Sequence, residues 1–121
     1  MTSPNESVLA AVAIDGCIAA ALVDYDSGMT LATAGSGIDL ELAAAGNTEV
    51  VRAKMRVMDS LGLDDKIEDI LITLGNQFHL IRLVSSTSGQ GLFFYIVLDK
   101  TRANLALARR QLQTIEQAIS I

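Results

Sequence analysis

Apolar and polar positions divide the chain into alternating strand-like and helix-like stretches, and residues 39–61 (DLELAAAGNTEVVRAKMRVMDSL) carry the longest helical pattern. At about 100° per residue, Leu40, Ala44, Val51, Met55 and Met58 share one side of that helix, and Ala43, Gly46, Val50, Ala53, Val57 and Leu61 an adjoining side. Glu41, Thr48, Glu49, Arg52, Arg56 and Asp59 gather on what is left. The apolar sector is about 200° wide, roughly twice what a helix needs to cover one core. One helix therefore has two apolar surfaces.

The other elements follow from shorter patterns. A helix is expected over 6–14, capped by Ser3 or Asn5 and ended by Asp15-Gly16. Residues 17–23 are a continuous apolar run of strand length, the pattern of a strand covered on both faces. A turn cluster from Asp24 to Gly28 leads into an alternating strand over 29–34, and Gly35-Ser36-Gly37 ends it. Asp39 is placed to cap the long helix and Gly62 to close it. A third strand over 67–74 turns through Gly75-Asn76 into a fourth over 78–84. After a small, polar loop at 85–91, LFFYIVL over 92–98 is the most apolar strand. Asp99 is then expected to cap a last helix to about 119, with Leu105, Ala108, Leu112, Ile115 and Ile119 on its buried stripe and Arg102, Arg109, Arg110, Gln113 and Glu116 away from it.

Short links within each strand group favour antiparallel hairpins, and the two wholly apolar runs should be the inner strands that join the groups. The expected fold is α/β of the α+β kind: a single five-stranded antiparallel sheet, order 2-1-5-4-3, with the long helix on one face and the N- and C-terminal helices on the other. Residues 1–6 are expected to be a flexible N-terminus and 7–121 one domain. The third strand is then an open edge, and an uncovered edge is a liability. Pairing this edge and the second helix face with another copy of the chain would answer both problems. The residues expected at that interface are Ala43, Gly46, Asn47, Val50, Ala53, Lys54, Val57, Leu61, Ile67, Asp69 and Leu71. Asn47 and Lys54 lie at the border of the two faces, where an amide can bond across a helix seam and a lysine can reach solvent.

Composition agrees and excludes several classes. Half of the residues are hydrophobic, more burial than a chain of 121 residues readily offers itself. No apolar run approaches the ~18 residues of a membrane span. A formal charge of −5 argues against a nucleic-acid partner. MTSPNES has neither the basic start nor the apolar core of a signal peptide, and one cysteine, Cys17, permits no internal disulfide, so a cytoplasmic location is expected.

Chemistry is sparse. The single histidine, His79, has no partners at metal-ligand spacing, and no nucleophile–base arrangement or phosphate-binding loop can be written. Catalytic, cofactor and metal sites are all expected to be absent. Asp64-Asp65 and Glu68-Asp69 read as charges that solubilise a sheet edge, and Arg52 with Arg56 as a pair able to meet an acidic or phosphate-bearing partner, or simply a wet face.

From about Ser7 to Ile119 the chain resembles the roadblock / dynein light-chain family, a profilin-like fold. The resemblance is carried by the element order, the hairpin CIAAALVDYDSGMTLA, the long helix, the segment IEDILITLGNQFHLIRLV and the final GLFFYIVLDKTRANLALARRQL. It implies a homodimer whose long helices and third strands meet across a two-fold axis. It also implies a non-enzymatic scaffold or regulator, acting with a small Ras-like GTPase as bacterial members often do. The alternative is a small-molecule-sensing domain, since profilin-like sheets in other families hold ligands between sheet and helix.

Overall fold

The two apolar runs lie side by side at the centre of the sheet. In this computed structural model, which describes residues 2–86 and 89–120, Cys17–Asp24 (β1) is antiparallel to Leu92–Asp99 (β5), with Ala20 opposite Ile96 and Leu22 opposite Phe94. Met29–Gly35 (β2) extends the sheet beyond β1; Gln77–Leu83 (β4) and then Asp69–Thr73 (β3) extend it beyond β5. All neighbours are antiparallel, and the order is the expected β2-β1-β5-β4-β3. The pairing of β1 with β2 shifts register between Leu22 and Val23, an irregularity of the kind that twists an edge strand.

Helices cover both faces. Pro4–Val12 (α1) and Leu105–Gln117 (α3) lie on one, and Leu40–Ser60 (α2) on the other. Because side chains alternate along a strand, Ala20, Leu22, Phe94 and Ile96 pack with Val8, Ala11, Ala108 and Leu112. Ala19, Ala21, Val23, Phe93 and Val97 pack with Leu40, Ala44 and Val51. The alanines at the middle of β1 are wholly buried, and their small side chains let helices approach that strand closely from both sides.

Element ends show where local chemistry decides. Helix α1 starts at Pro4 rather than Glu6, because Ser3 closes a capping box: its hydroxyl accepts from Glu6 N at 3.2 Å, and the Glu6 carboxylate accepts from Ser3 N at 3.1 Å. Ahead of it, in the segment read as flexible, Thr2 N donates to Ala118 O and Ser120 N to Thr2 O, each at 2.8 Å. Helix α2 begins as expected, with Asp39 accepting from Leu42 N at 3.1 Å, and Gly62 follows it at φ +68°. Gly35, which ends β2 at φ +88°, is a position where any side chain would meet the backbone of Ile18 and Ala19.

Three expectations need correction. Asp99 does not cap α3; Asn104 does, accepting from Leu107 N at 3.1 Å, while the Asp99 carboxylate holds the preceding turn through Thr101 and Arg102. Thr48, expected on the polar side of α2, is buried, and its hydroxyl is satisfied by donating to Ala44 O at 2.8 Å. Glu116, expected to point away from the buried stripe of α3, is wholly buried. Part of the loop at 85–91, residues 87 and 88, lies outside the described residues.

Candidate interaction surface

Helix α2 carries a second apolar face that its own chain does not cover. Its inner side, Leu40, Ala44, Thr48 and Val51, is buried against the sheet. On the outer side Val50 is 39% exposed, Val57 47%, Leu61 65% and Leu42 70%, with Gly46 exposed between them. Ala43 and Ala53 are half-buried along the same side. Lys54 is exposed and forms no ion pair among the described residues.

The edge strand lies beyond the C-terminal half of this helix. β3 is bonded on one side only, to β4. Leu71 packs into the core beneath α1 and α3, and Ile70 into the one beneath α2. Ile67, half-buried, precedes the strand rather than belonging to it. An open trough between helix and edge is lined by the apolar Val50, Met55, Met58, Leu63, Ile67, Ile70 and Leu83 together with charged side chains that include Lys54, Asp64, Asp65, Lys66 and Glu68. The outer face of α2, the trough and the free edge make one continuous surface.

Asp69 has a different place from the one its spacing suggested. Rather than solubilising the edge, its carboxylate accepts two hydrogen bonds from Arg109 of α3, at 3.0 and 2.7 Å, and stands 3.8 Å from Arg82. Arg82 in turn donates to Glu116 at 3.3 Å, and Glu116 accepts from the Ser85 amide and hydroxyl at 3.1 and 2.9 Å. This network fastens α3 to the two outermost strands on that side, so Asp69 offers the free edge its backbone.

A second polar group lies under the border of α2. Asn47 donates to Ala43 O at 2.9 Å, and the Tyr95 hydroxyl lies near its side chain. That hydroxyl is 3.0 Å from His79 Nδ1, and His79 Nε2 is 2.9 Å from Gln77 Oε1. The His79 and Tyr95 rings meet edge to face at 5.5 Å. Burial lowers the His79 pKa and raises that of Tyr95, the latter partly opposed by the nearby Asn47 amide. Tyr95 is concealed in an apolar run of the sequence; the pairing of β4 with β5 is the signal that places it diagonal to His79.

Arg52 and Arg56 are exposed on the polar side of α2 and form no ion pair among the described residues. Cys17 is a half-buried free thiol whose pKa burial pushes up to about 11. Among the described residues, no group of three or more His, Cys, Asp or Glu side chains is arranged to hold a metal ion, and no helix is long and apolar enough to cross a membrane.

Neither family profiles nor curated protein sequences match this chain. Solved structures do. The Roadblock/LC7 domain from Streptomyces avermitilis superposes with a TM-score of 0.80 at 13% identity, covering 97% of this chain and 94% of that one. Myxococcus xanthus MglB gives 0.73 at 16% identity, over 93% and 85%. The gliding protein MglB of Thermus thermophilus gives 0.68 at 18%, over 93% and 87%. The sheet order, the helices on its two faces and the coverage agree: this chain has the fold of the Roadblock/LC7 domain.

Proposed function

We propose that this chain is a small bacterial-type roadblock protein that works as a non-enzymatic homodimeric scaffold or regulator, paired through the outer face of α2 and the free edge of β3. One observation carries the reading: apolar side chains of α2 stay exposed on the side next to a strand whose outer edge is free. A patch of this kind on a small chain marks an interface, and a two-fold operation would cover both at once. Ala43, Gly46, Asn47, Val50, Ala53, Lys54, Val57 and Leu61 would form the helix seam; Ile67 and the β3 backbone around Asp69 and Leu71 would form the strand seam. The dimer would act in the cytoplasm.

The partner we infer is a small Ras-like GTPase, for which the dimer is an adaptor or activator. The resemblance in sequence and the likeness in fold to MglB support this reading, and exposed Arg52 and Arg56 offer charge for an acidic or phosphate-bearing surface. A small-molecule sensor is the weaker alternative, because the trough beside α2 is open to solvent rather than an enclosed cavity. The deciding experiment compares retention of GDP- and GTP-loaded GTPases from the same cell with a metabolite thermal-shift screen. Retention in one nucleotide state supports the proposal; no retention, with a metabolite raising the melting temperature, overturns it.

A further inference from the structure

The free edge of β3 presents its backbone at alternate residues, and the bonds to β4 fix which ones. Leu74 N donates to Gln77 O at 2.8 Å, and Leu83 N to Glu68 O at 3.2 Å. Both bonds lie in the register that sets Asp69 opposite Arg82 and Thr73 opposite Phe78, and bonded pairs alternate along an antiparallel ladder. Glu68, Ile70, Ile72 and Leu74 therefore turn their N–H and C=O groups toward β4. Asp69, Leu71 and Thr73 turn theirs outward, where no other strand among the described residues lies. The opposite edge of the sheet, β2, offers no such unbroken run, because its register against β1 shifts between Leu22 and Val23.

We propose that β3 pairs with β3 of a second copy in one register only, with Leu71 on the two-fold axis and each Asp69 opposite Thr73 of the other copy. This rests on the dimer proposed above and names the contacts that make its strand seam selective. In this register Leu71 meets Leu71, Ile70 meets Ile72, and every outward backbone group finds a partner. Moving the axis to Ile70 sets Thr73 against Ile67, which precedes the strand; moving it to Ile72 sets Asp69 against Gly75, which follows it. Moving it to Asp69 brings two like charges directly opposite, which destabilises a strand pair.

Helix α3 prepares the residue that reads the second copy. The Asp69 carboxylate is held by two bonds from Arg109, at 3.0 and 2.7 Å. A carboxylate has about four acceptor sites, so lone pairs remain for a further donor. Thr73 is exposed and stands on the same face of β3 as Asp69 and Leu71, since side chains alternate along a strand. The register sets its hydroxyl beside that carboxylate, at about the 5.5 Å between Cα atoms of a bonded pair. The same contact recurs at the other end of the seam.

Hydrogen exchange of the backbone amides, followed by NMR on the unaltered chain at high and at low concentration, reads the register. The amides of Ile70 and Ile72 should exchange slowly in both samples. Those of Asp69, Leu71 and Thr73 should slow together, by about tenfold or more, as the dimer forms. Protection of Leu71 and Thr73 without Asp69, or of Asp69 and Leu71 without Thr73, marks a shifted register; it overturns the inference and leaves the dimer standing. So does a dimer in which none of the three is slowed. A monomer at every concentration overturns the dimer itself. Thr73→Asp should raise the dissociation constant about tenfold or more, because carboxylates then face each other at both ends of the seam, while Thr73→Ser should stay within about threefold. A Thr73→Asp dimer as tight as the unaltered one overturns the pairing, and the exchange pattern decides the matter even where that variant fails to fold.

Discussion

Arg82 donates through Nε to Oε1 of Glu116 at 3.3 Å, joining β4 to α3 across 34 residues of chain, and the carboxylate side chain has no exposure to solvent. Removing one member of a buried ion pair strands the other, at a cost of about 3–5 kcal/mol. Glu116→Ala should therefore lower the unfolding free energy by that amount in urea titrations, because Arg82 and the Ser85 amide both lose their acceptor. The double substitution Arg82→Leu with Glu116→Leu should recover most of the loss, since Asp69 keeps its paired bonds from Arg109. A double variant less stable than Glu116→Ala would contradict this account.

Val50→Asp and Val57→Asp separate folding from association. Both positions are exposed on the single chain, so each variant should change its stability by no more than about 0.5 kcal/mol. In a dimer the carboxylate would be buried without a partner. Light scattering coupled to gel filtration should show a fall in mass for both, with the far-UV helix signal unchanged.

Cys17 should be slow to react and should make the fold sensitive to alkali. Its thiol pKa is raised from 9.0 to about 11 by burial. The stability this contributes is fully present below 9.0 and is lost as pH rises toward about 11, since the unfolded thiol ionises first. The native thiolate fraction at mildly alkaline pH is then about a hundredfold below that of the unfolded chain. Alkylation rates with and without denaturant at one pH measure the ratio directly.

Gly35→Ala should cost more than an ordinary surface change. The φ of +88° and the backbone of Ile18 and Ala19 both oppose a Cβ there. About 1–2 kcal/mol is expected from the left-handed conformation alone, with the steric contact added. Chemical denaturation reads the total, and amide exchange should show it first in β2.

The layers of this fold were legible because they depend on patterns that local sequence carries. The wholly apolar runs at β1 and β5 could only be central, and the unusual apolar width of α2 pointed to the face that the structure leaves exposed. Glu116 and Asp69 were illegible for the opposite reason. A helical wheel assigns a carboxylate to water unless a cation approaches from elsewhere, and Arg82 and Arg109 approach from distant elements. Thr48 misled in a smaller way, since a bond to its own helix hides its hydroxyl. Asp99 and Asn104 offer nearly the same capping chemistry, and only the extra turn between β5 and α3 selects the second.

The stitch between Thr2 and Ile119 brings the segment before α1 and the segment after α3 side by side. In a domain cut to residues 2–120, a covalent bridge of a few residues from Ser120 to Thr2 would make a ring without disturbing a helix or strand. Opening that ring at Gly37, an exposed position with empty space where a Cβ would stand, would yield a permuted molecule with the same layers. The linear order of the elements is thus one of several in which this architecture could be encoded.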